Sequence, residues 1–295
     1  MKPTLPLLAL AAVALLFAAC SKDREPSTVT GTAKVHVTFS DFAISQGEIP
    51  SKSAEDPANY TGVGAMTLAF YASDGTEMCE ITQLKSDATT YTTFGEFDCS
   101  LPVGNYTMVA LGYAYYDGDV LDLTSPTAAV FTSERPREMF CYTQSVTVTS
   151  TAQLNLTATL NRINAKVILV STDVRPAEAT KIRTTYSGGS KGFNPTNGLA
   201  TDDLGFSQTN NPATSVGATI SVNIYPFLYT DEETMTVTIE ALDASDNVLI
   251  TKTVPNVPLK RNRQTTLTGA VYTPGSSTAG FQLETDWLPG TTVTF

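Results

Sequence analysis

Ala33-Lys34-Val35-His36-Val37-Thr38-Phe39 alternates without a break, apolar at the odd positions and polar at the even ones. Successive side chains of an extended chain point to opposite faces, so this period of two predicts a strand with one face in a core and the other in water. The same signature recurs along the chain. Ala65 to Ala72 is a strongly apolar strand, Asp74-Gly75 is a tight hairpin turn, and the return strand runs from Glu77 to Gln83. Phe94 to Leu101 is a further strand that turns at Pro102-Val-Gly104-Asn105 into Tyr106 to Leu111. Ser145 to Thr149 and Leu154 to Leu160 alternate about a polar turn at Ser150-Thr151.

A second series opens at Ala165-Lys-Val-Ile-Leu-Val170, whose four consecutive apolar residues predict a central strand. Ala179 to Tyr186 and Ala218 to Tyr225 follow. Thr234 to Leu242 and Val248 to Thr253 form a hairpin about Asp243 to Asn247; Gln264 to Tyr272, Phe281 to Trp287 and Thr291 to Phe295 close the series. Three stretches read as loops: Ser45 to Thr61, Tyr113 to Phe131 around Asp117-Gly118-Asp119, and the Gly/Asn/Pro-rich Ser187 to Ala213. Short strands, frequent turns and no long amphipathic helical stretch predict an all-β protein of the sandwich class. Two series of similar length predict two sandwiches in tandem, over residues 32–160 and 161–295, with the boundary near Leu160 to Asn164.

Upstream of Ala33 the chain carries an address rather than a fold. Lys2 supplies a positive start, and Leu7 to Phe17 is an apolar run of secretory length, too short for a stable membrane span. Ala18-Ala19 leads directly into Cys20. That order predicts a signal peptide over residues 1–19, removed before a lipidated Cys20, and a polar tether over 20–31. Each methylene buried in a bilayer contributes about 0.8 kcal/mol, so a multiply acylated Cys20 is a stable anchor. The expected location is the outer membrane, lipid-anchored, at the cell surface.

Acidic residues outnumber basic ones, 29 to 18, giving a formal net charge of −11. No basic stripe with interleaved aromatics relieves this field, which excludes nucleic acid as an expected partner. The remaining cysteines are Cys79, Cys99 and Cys141. The favoured reading makes them small buried hydrophobes; the other is a Cys79–Cys99 bridge that leaves Cys141 unpaired. No Cys-x-x-Cys and no Cys/His cluster is present, so neither a zinc site nor any other metal or cofactor is expected.

Catalytic machinery is equally thin. His36 is the single histidine and falls on the polar side of its strand, so a hydrolase triad has no base of the usual kind beyond it. Ser187-Gly-Gly-Ser190 and Pro274-Gly-Ser-Ser277 are turns, not phosphate-cradling loops. The acidic groups Asp117/Asp119/Asp122, Asp202/Asp203 and Asp231/Glu232/Glu233 lie in predicted loops, where such residues serve solubility; Asp117-Gly-Asp119 lacks the ligand ladder of a calcium loop. No catalytic residue is expected. Tyr113, Tyr115 and Tyr116 are the candidate ligand surface, for a host protein or a glycan, with packing against a sheet as the plainer alternative.

Several segments, in order, give the chain a family resemblance. Cys20-Ser-Lys-Asp-Arg-Glu25, Phe94-Gly-Glu-Phe97 with Leu101-Pro-Val-Gly-Asn-Tyr106, Leu160-Asn-Arg-Ile-Asn-Ala-Lys-Val167, and Val257 to Gln264 leading into Thr266-Leu-Thr-Gly269 resemble the Bacteroides-type fimbrillin superfamily. Phe281 to Trp287 and Phe295 extend the likeness, which is nearest to the fimbrial anchor and accessory lipoproteins. The resemblance implies two transthyretin-like β-sandwiches, a non-enzymatic role and other fimbrial subunits as partners. It also implies that polymerising members lose the first strand by cleavage after a basic residue, leaving a groove that a neighbour's strand fills. Here that loop holds Lys52, in Ile49-Pro-Ser-Lys-Ser53, and no arginine. An arginine-specific protease would leave it intact, so the expectation is an anchor or accessory subunit. A polymerising stalk subunit and a surface glycan- or protein-binding lipoprotein are the alternatives.

Overall fold

Every regular element in the computed structural model is a β-strand, over the residues it describes: 31–43, 60–201, 204–212, 215–274 and 281–284. The first nine strands are β1 (Thr32–Ala43), β2 (Ala65–Ala72), β3 (Glu77–Leu84), β4 (Glu96–Pro102), β5 (Gly104–Tyr113), β6 (Leu121–Ser125), β7 (Ala128–Phe131), β8 (Met139–Val148) and β9 (Leu154–Arg162). Next come β10 (Lys166–Ser171), β11 (Lys181–Tyr186), β12 (Gly192–Asn194), β13 (Leu199–Thr201) and β14 (Phe206–Asn210). The last five are β15 (Ser221–Ile224), β16 (Glu232–Leu242), β17 (Val248–Lys260), β18 (Gln264–Gly269) and β19 (Phe281–Glu284).

Seven strands of the first group form one sheet in the order β3-β2-β5-β8-β9-β1-β4. It rolls over a single core in which Val35, Val37 and Phe39 of β1 meet Met66, Leu68 and Phe70 of β2 and Met108 of β5. Rolling brings the two end strands together. A disulfide joins Cys79 of β3 to Cys99 of β4. Beside it the Gln83 amide donates to Glu96 O (2.7 Å), and Gly95 N donates to Gln83 Oε1 (2.8 Å). Gly95 sits at φ +93°, a conformation that an L side chain rarely adopts, so the close approach at this corner depends on glycine. The bridge corrects the favoured reading of the cysteines. Cys141 is the unpaired one; burial pushes its thiol up to about 12, which leaves it unreactive.

The second group forms two four-stranded sheets, β15-β10-β18-β19 and β14-β11-β16-β17. They sandwich a core that includes Val167, Leu169, Ile182, Ile224, Val237, Ile239 and Leu267. β10 lies between β15 and β18, the interior position its four apolar residues predict.

A fourth sheet, antiparallel and drawn from both groups, ties them together. Its order is β13-β12-β7-β6, and Phe193 of β12 pairs with Ala129 of β7. It covers the outer face of β2 and β5, burying Tyr71, Val109, Leu111 and Tyr113 against Phe131, Phe193 and Phe227. Burial on both faces is why β2 and β5 read as continuous apolar runs instead of alternating. This layer also corrects two loops. Tyr113 to Phe131 contains the β6–β7 hairpin, and Ser187 to Ala213 contains β12, β13 and β14. Strands of three to five residues become stable only through partners elsewhere in the chain, which no local pattern records. β8 likewise begins at Met139 rather than Ser145; Met139, Phe140 and Cys141 are buried in succession because the strand passes between two cores.

The junction is polar as well as apolar. Asn164, fully buried, donates to Arg137 O and Tyr225 O and accepts from Met139 N (3.3 Å). Arg162, whose side chain is 1% exposed, donates to Glu138 Oε1 (2.9 and 2.6 Å), to Asn262 Oδ1 (3.0 Å) and to the Tyr60 hydroxyl (2.8 Å). Its guanidinium also lies over the Phe140 ring, 4.7 Å from the centroid.

Candidate functional site

The first strand occupies an interior seat. β1 pairs antiparallel with β4, from Thr32 opposite Pro102 to Thr38 opposite Glu96, and parallel with β9 from Val35 opposite Leu154 onward. Ala33, Val35, Val37 and Phe39 point into the core and are at most 4% exposed, as the alternation requires. Burying such side chains contributes on the order of 1.5–3 kcal/mol each for the larger ones. β4 pairs with β1 alone in the sheet order; Phe97, Cys99 and Leu101 anchor it in the core, and the disulfide and the Gln83 clamp tie it to β3.

On the outer face of β1, His36 Nδ1 lies 2.9 Å from Asp98 Oδ1, and its Nε2 lies 3.4 Å from the Thr38 hydroxyl. The connectivity imitates a hydroxyl–imidazole–carboxylate relay, but the setting does not. Asp98 is half exposed and also pairs with Lys34 (3.1 Å). Hydrogen bonds from His36, then Lys34, hold its carboxyl below the ordinary value. The backbone of β1 here lies in the ladders to β4 and β9.

A second site forms where the strand groups meet. Tyr115 and Tyr116 line a cleft of about 640 Å³ together with Arg135, Arg137, Glu138, Gln208, Asn210, Asn223 and Tyr225. Tyr113 does not reach it: it is 3% exposed, and its hydroxyl is 3.1 Å from that of Thr67. Tyr116 is 56% exposed, with the Arg137 guanidinium 4.1 Å from its ring centroid. Arg137 is held by Asp119 Oδ2 (2.9 and 2.7 Å). Burial pushes the Asp119 carboxyl up, but donors from Arg137 and Ser133 outweigh this and hold it below its usual value. Arg135 donates to Asn210 Oδ1, which also accepts from Gln208 Nε2 (3.1 Å). Sequence reading missed this wall because Gln208 and Asn210 fall in the stretch read as loop. The available signal was Phe206-Ser-Gln208-Thr-Asn210, a period-two run with amides on the inward side.

Asp231, Glu232 and Glu233 each hold a partner. Asp231 pairs with Arg261, Glu232 with Lys260, and Glu233 accepts from Tyr229 N and Thr230 N. Among the described residues no group of three or more His, Cys, Asp or Glu could hold a metal ion, and no helix is long and apolar enough to cross a membrane. Cys20, Lys52, Asp202 and Asp203 lie outside the described residues.

Comparison with known proteins adds the following. A family described as a family of unknown function (DUF6562) matches residues 29–287. No curated protein matches the chain. Among solved structures, a candidate adhesin from Bacteroides ovatus is 12% identical, over 86% of this chain and 92% of its own, with a TM-score of 0.49. The fimbrial anchor protein Mfa2 from Porphyromonas gingivalis is 12% identical over 80% and 90%, with a TM-score of 0.47. A candidate polysaccharide-binding protein from Bacteroides thetaiotaomicron is 14% identical over 74% and 79%, also at 0.47.

Proposed function

The chain belongs to the DUF6562 family, and from that premise we propose that it is a non-enzymatic lipoprotein of the outer membrane, a fimbrial anchor or accessory subunit tethered through Cys20. The observation that carries this reading is the interior seat of β1. In the proposal, β1 is the first element after the lipid, and it is sewn into the sheet along both edges with an apolar face in the core. A tether of eleven residues between Cys20 and Thr32 reaches about 40 Å at most, so the rolled sheet stays close to the membrane. Releasing the body by a cut at Lys52 would also require pulling β1 out of two ladders. A subunit that keeps β1 is suited to the base of a filament or to its side.

Association with other subunits is proposed to proceed by strand addition. Among the described residues, the two sheets of the second group end in β15 and β19 and in β14 and β17. A terminal strand presents unpaired N–H and C=O groups along one side, to which an extended segment of another chain can pair.

The test is isolation of the full-length protein from its own membrane in mild detergent. The expected result is a complex with a second surface subunit that persists in unboiled dodecyl sulfate, as paired strands do. Strictly monomeric protein at every detergent concentration would contradict the fimbrial reading.

A further inference from the structure

We propose that the cleft lined by Tyr116, Arg135 and Asn210 binds an acidic carbohydrate, a sugar bearing a carboxylate or a sulfate, with Tyr116 as the stacking surface and Arg135 as the partner of the anion. Charge accounting comes first. Three ionic side chains line the cleft, and two of them are already neutralised: Arg137 by Asp119 and Glu138 by Arg162. Arg135 has no carboxylate partner among the described residues; its guanidinium meets the neutral oxygen of Asn210. Burial, then the nearby Arg137, pull its pKa down, and a bound anion would act in the opposite direction.

Unsatisfied polarity points the same way. Arg135 Nε, Asn210 Nδ2 and Gln208 Oε1 are shielded from solvent without a hydrogen-bond partner, and Gln208 is 6% exposed. Leaving such groups unpaired is costly, so three in one connected wall mark a place where a polar ligand would repay a small side-chain adjustment. The trio comprises two donors and one acceptor. Hydroxyl groups match both kinds, and a carboxylate or sulfate oxygen matches the donors.

The remaining surface selects a sugar. Tyr116 is held flat by Arg137 on one side, and more than half of its surface stays open, the arrangement on which the apolar face of a pyranose packs. The cleft carries no aliphatic side chain larger than Pro136 and Ala114, so it offers no pocket for the apolar residues of a peptide. Its volume of about 640 Å³ lies within the range of small-ligand sites. This inference is independent of the anchor reading, because an anchored chain and a polymerising one would carry the same cleft.

The full-length mature protein in detergent would be titrated with trigalacturonate, a carrageenan tetrasaccharide, neutral maltotriose and the tripeptide Gly-Tyr-Ala. Saturable binding of one or both acidic saccharides is expected, at least tenfold tighter than maltotriose; the tighter of the two identifies carboxylate or sulfate as the group recognised. Tyr116→Ala should weaken acidic binding at least tenfold with an unchanged melting temperature, since the side chain is exposed. Arg135→Gln should abolish the preference for acidic over neutral sugar. No binding of either acidic saccharide, affinity equal to that for maltotriose, indifference to both substitutions, or binding of the tripeptide alone would each overturn the proposal.

Discussion

Replacing Arg162 with methionine is expected to lower the unfolding free energy by about 3 kcal/mol, at the lower end of the range for breaking a buried ion pair. The loss arises from what stays behind. Glu138 has an 8% exposed side chain, and Arg162 supplies two of the hydrogen bonds to its Oε1; the Tyr60 hydroxyl (2.7 Å) supplies another. Without the guanidinium, the carboxylate keeps its desolvation penalty and loses its main compensation. Lys166 faces the same carboxylate and offsets part of the loss, which sets the figure at the lower end. The double variant Arg162→Met/Glu138→Leu removes both charges and is expected to recover at least half of the lost stability. Asn262 and Tyr60 each lose a partner, so recovery stays incomplete. Guanidinium unfolding of the three proteins gives the comparison; a single variant within 1 kcal/mol of the parent would mean that the pair is not buried. The same variant should loosen the strand groups, because Arg162 ends β9 while Asn262 lies between β17 and β18.

Removing the Cys79–Cys99 bridge, as Cys79→Ala/Cys99→Ala, is expected to destabilise the protein by about 3 kcal/mol through the regained freedom of the unfolded chain. The cysteines are 20 residues apart in sequence, which sets that magnitude. Locally, the effect should concentrate in β4. That strand has β1 as its one ladder neighbour, and the bridge ties its other side to β3. Amide exchange should therefore quicken in Glu96 to Pro102 before it quickens in β2 or β5. Uniform exchange across the sheet would show that the bridge does not hold the edge. A bridge of this kind also fits a chain that folds in an oxidising compartment outside the cytoplasm.

These two predictions rest on features the sequence exposes unequally. The alternation in β1 announced which side chains enter the core, and the Asp74-Gly75 turn falls where expected, with Gly75 at φ +85°. Ala65 to Ala72 stood out as strongly apolar, and burial of β2 on both faces is the reason. The disulfide was legible only as the less favoured of two readings, because Cys79 and Cys99 lie on opposite end strands of a seven-stranded sheet and meet only when it rolls. Glu138 and Arg162 each look like an ordinary surface charge; their burial follows from the packing of two strand groups whose contacts span up to a hundred residues of sequence. The cleft was legible in half. Tyr115 and Tyr116 stood out as aromatics near a turn, whereas Arg135, Gln208 and Asn210 join them through tertiary pairing of β14 with β11 and of β12 with β7. Tyr113, equally conspicuous in sequence, belongs to the shared core.

The central claim is that the body of the protein, β1 included, remains joined to a lipid on Cys20. Intact-mass measurement of the protein extracted from its native membrane tests this most directly. The account predicts a chain that begins at Cys20, heavier than its sequence by the attached glyceride and acyl groups, and retains the Thr32 to Ala43 strand. A lipid-free chain that begins at Ser53, after cleavage at Lys52, would contradict it and mark the protein as a polymerising subunit.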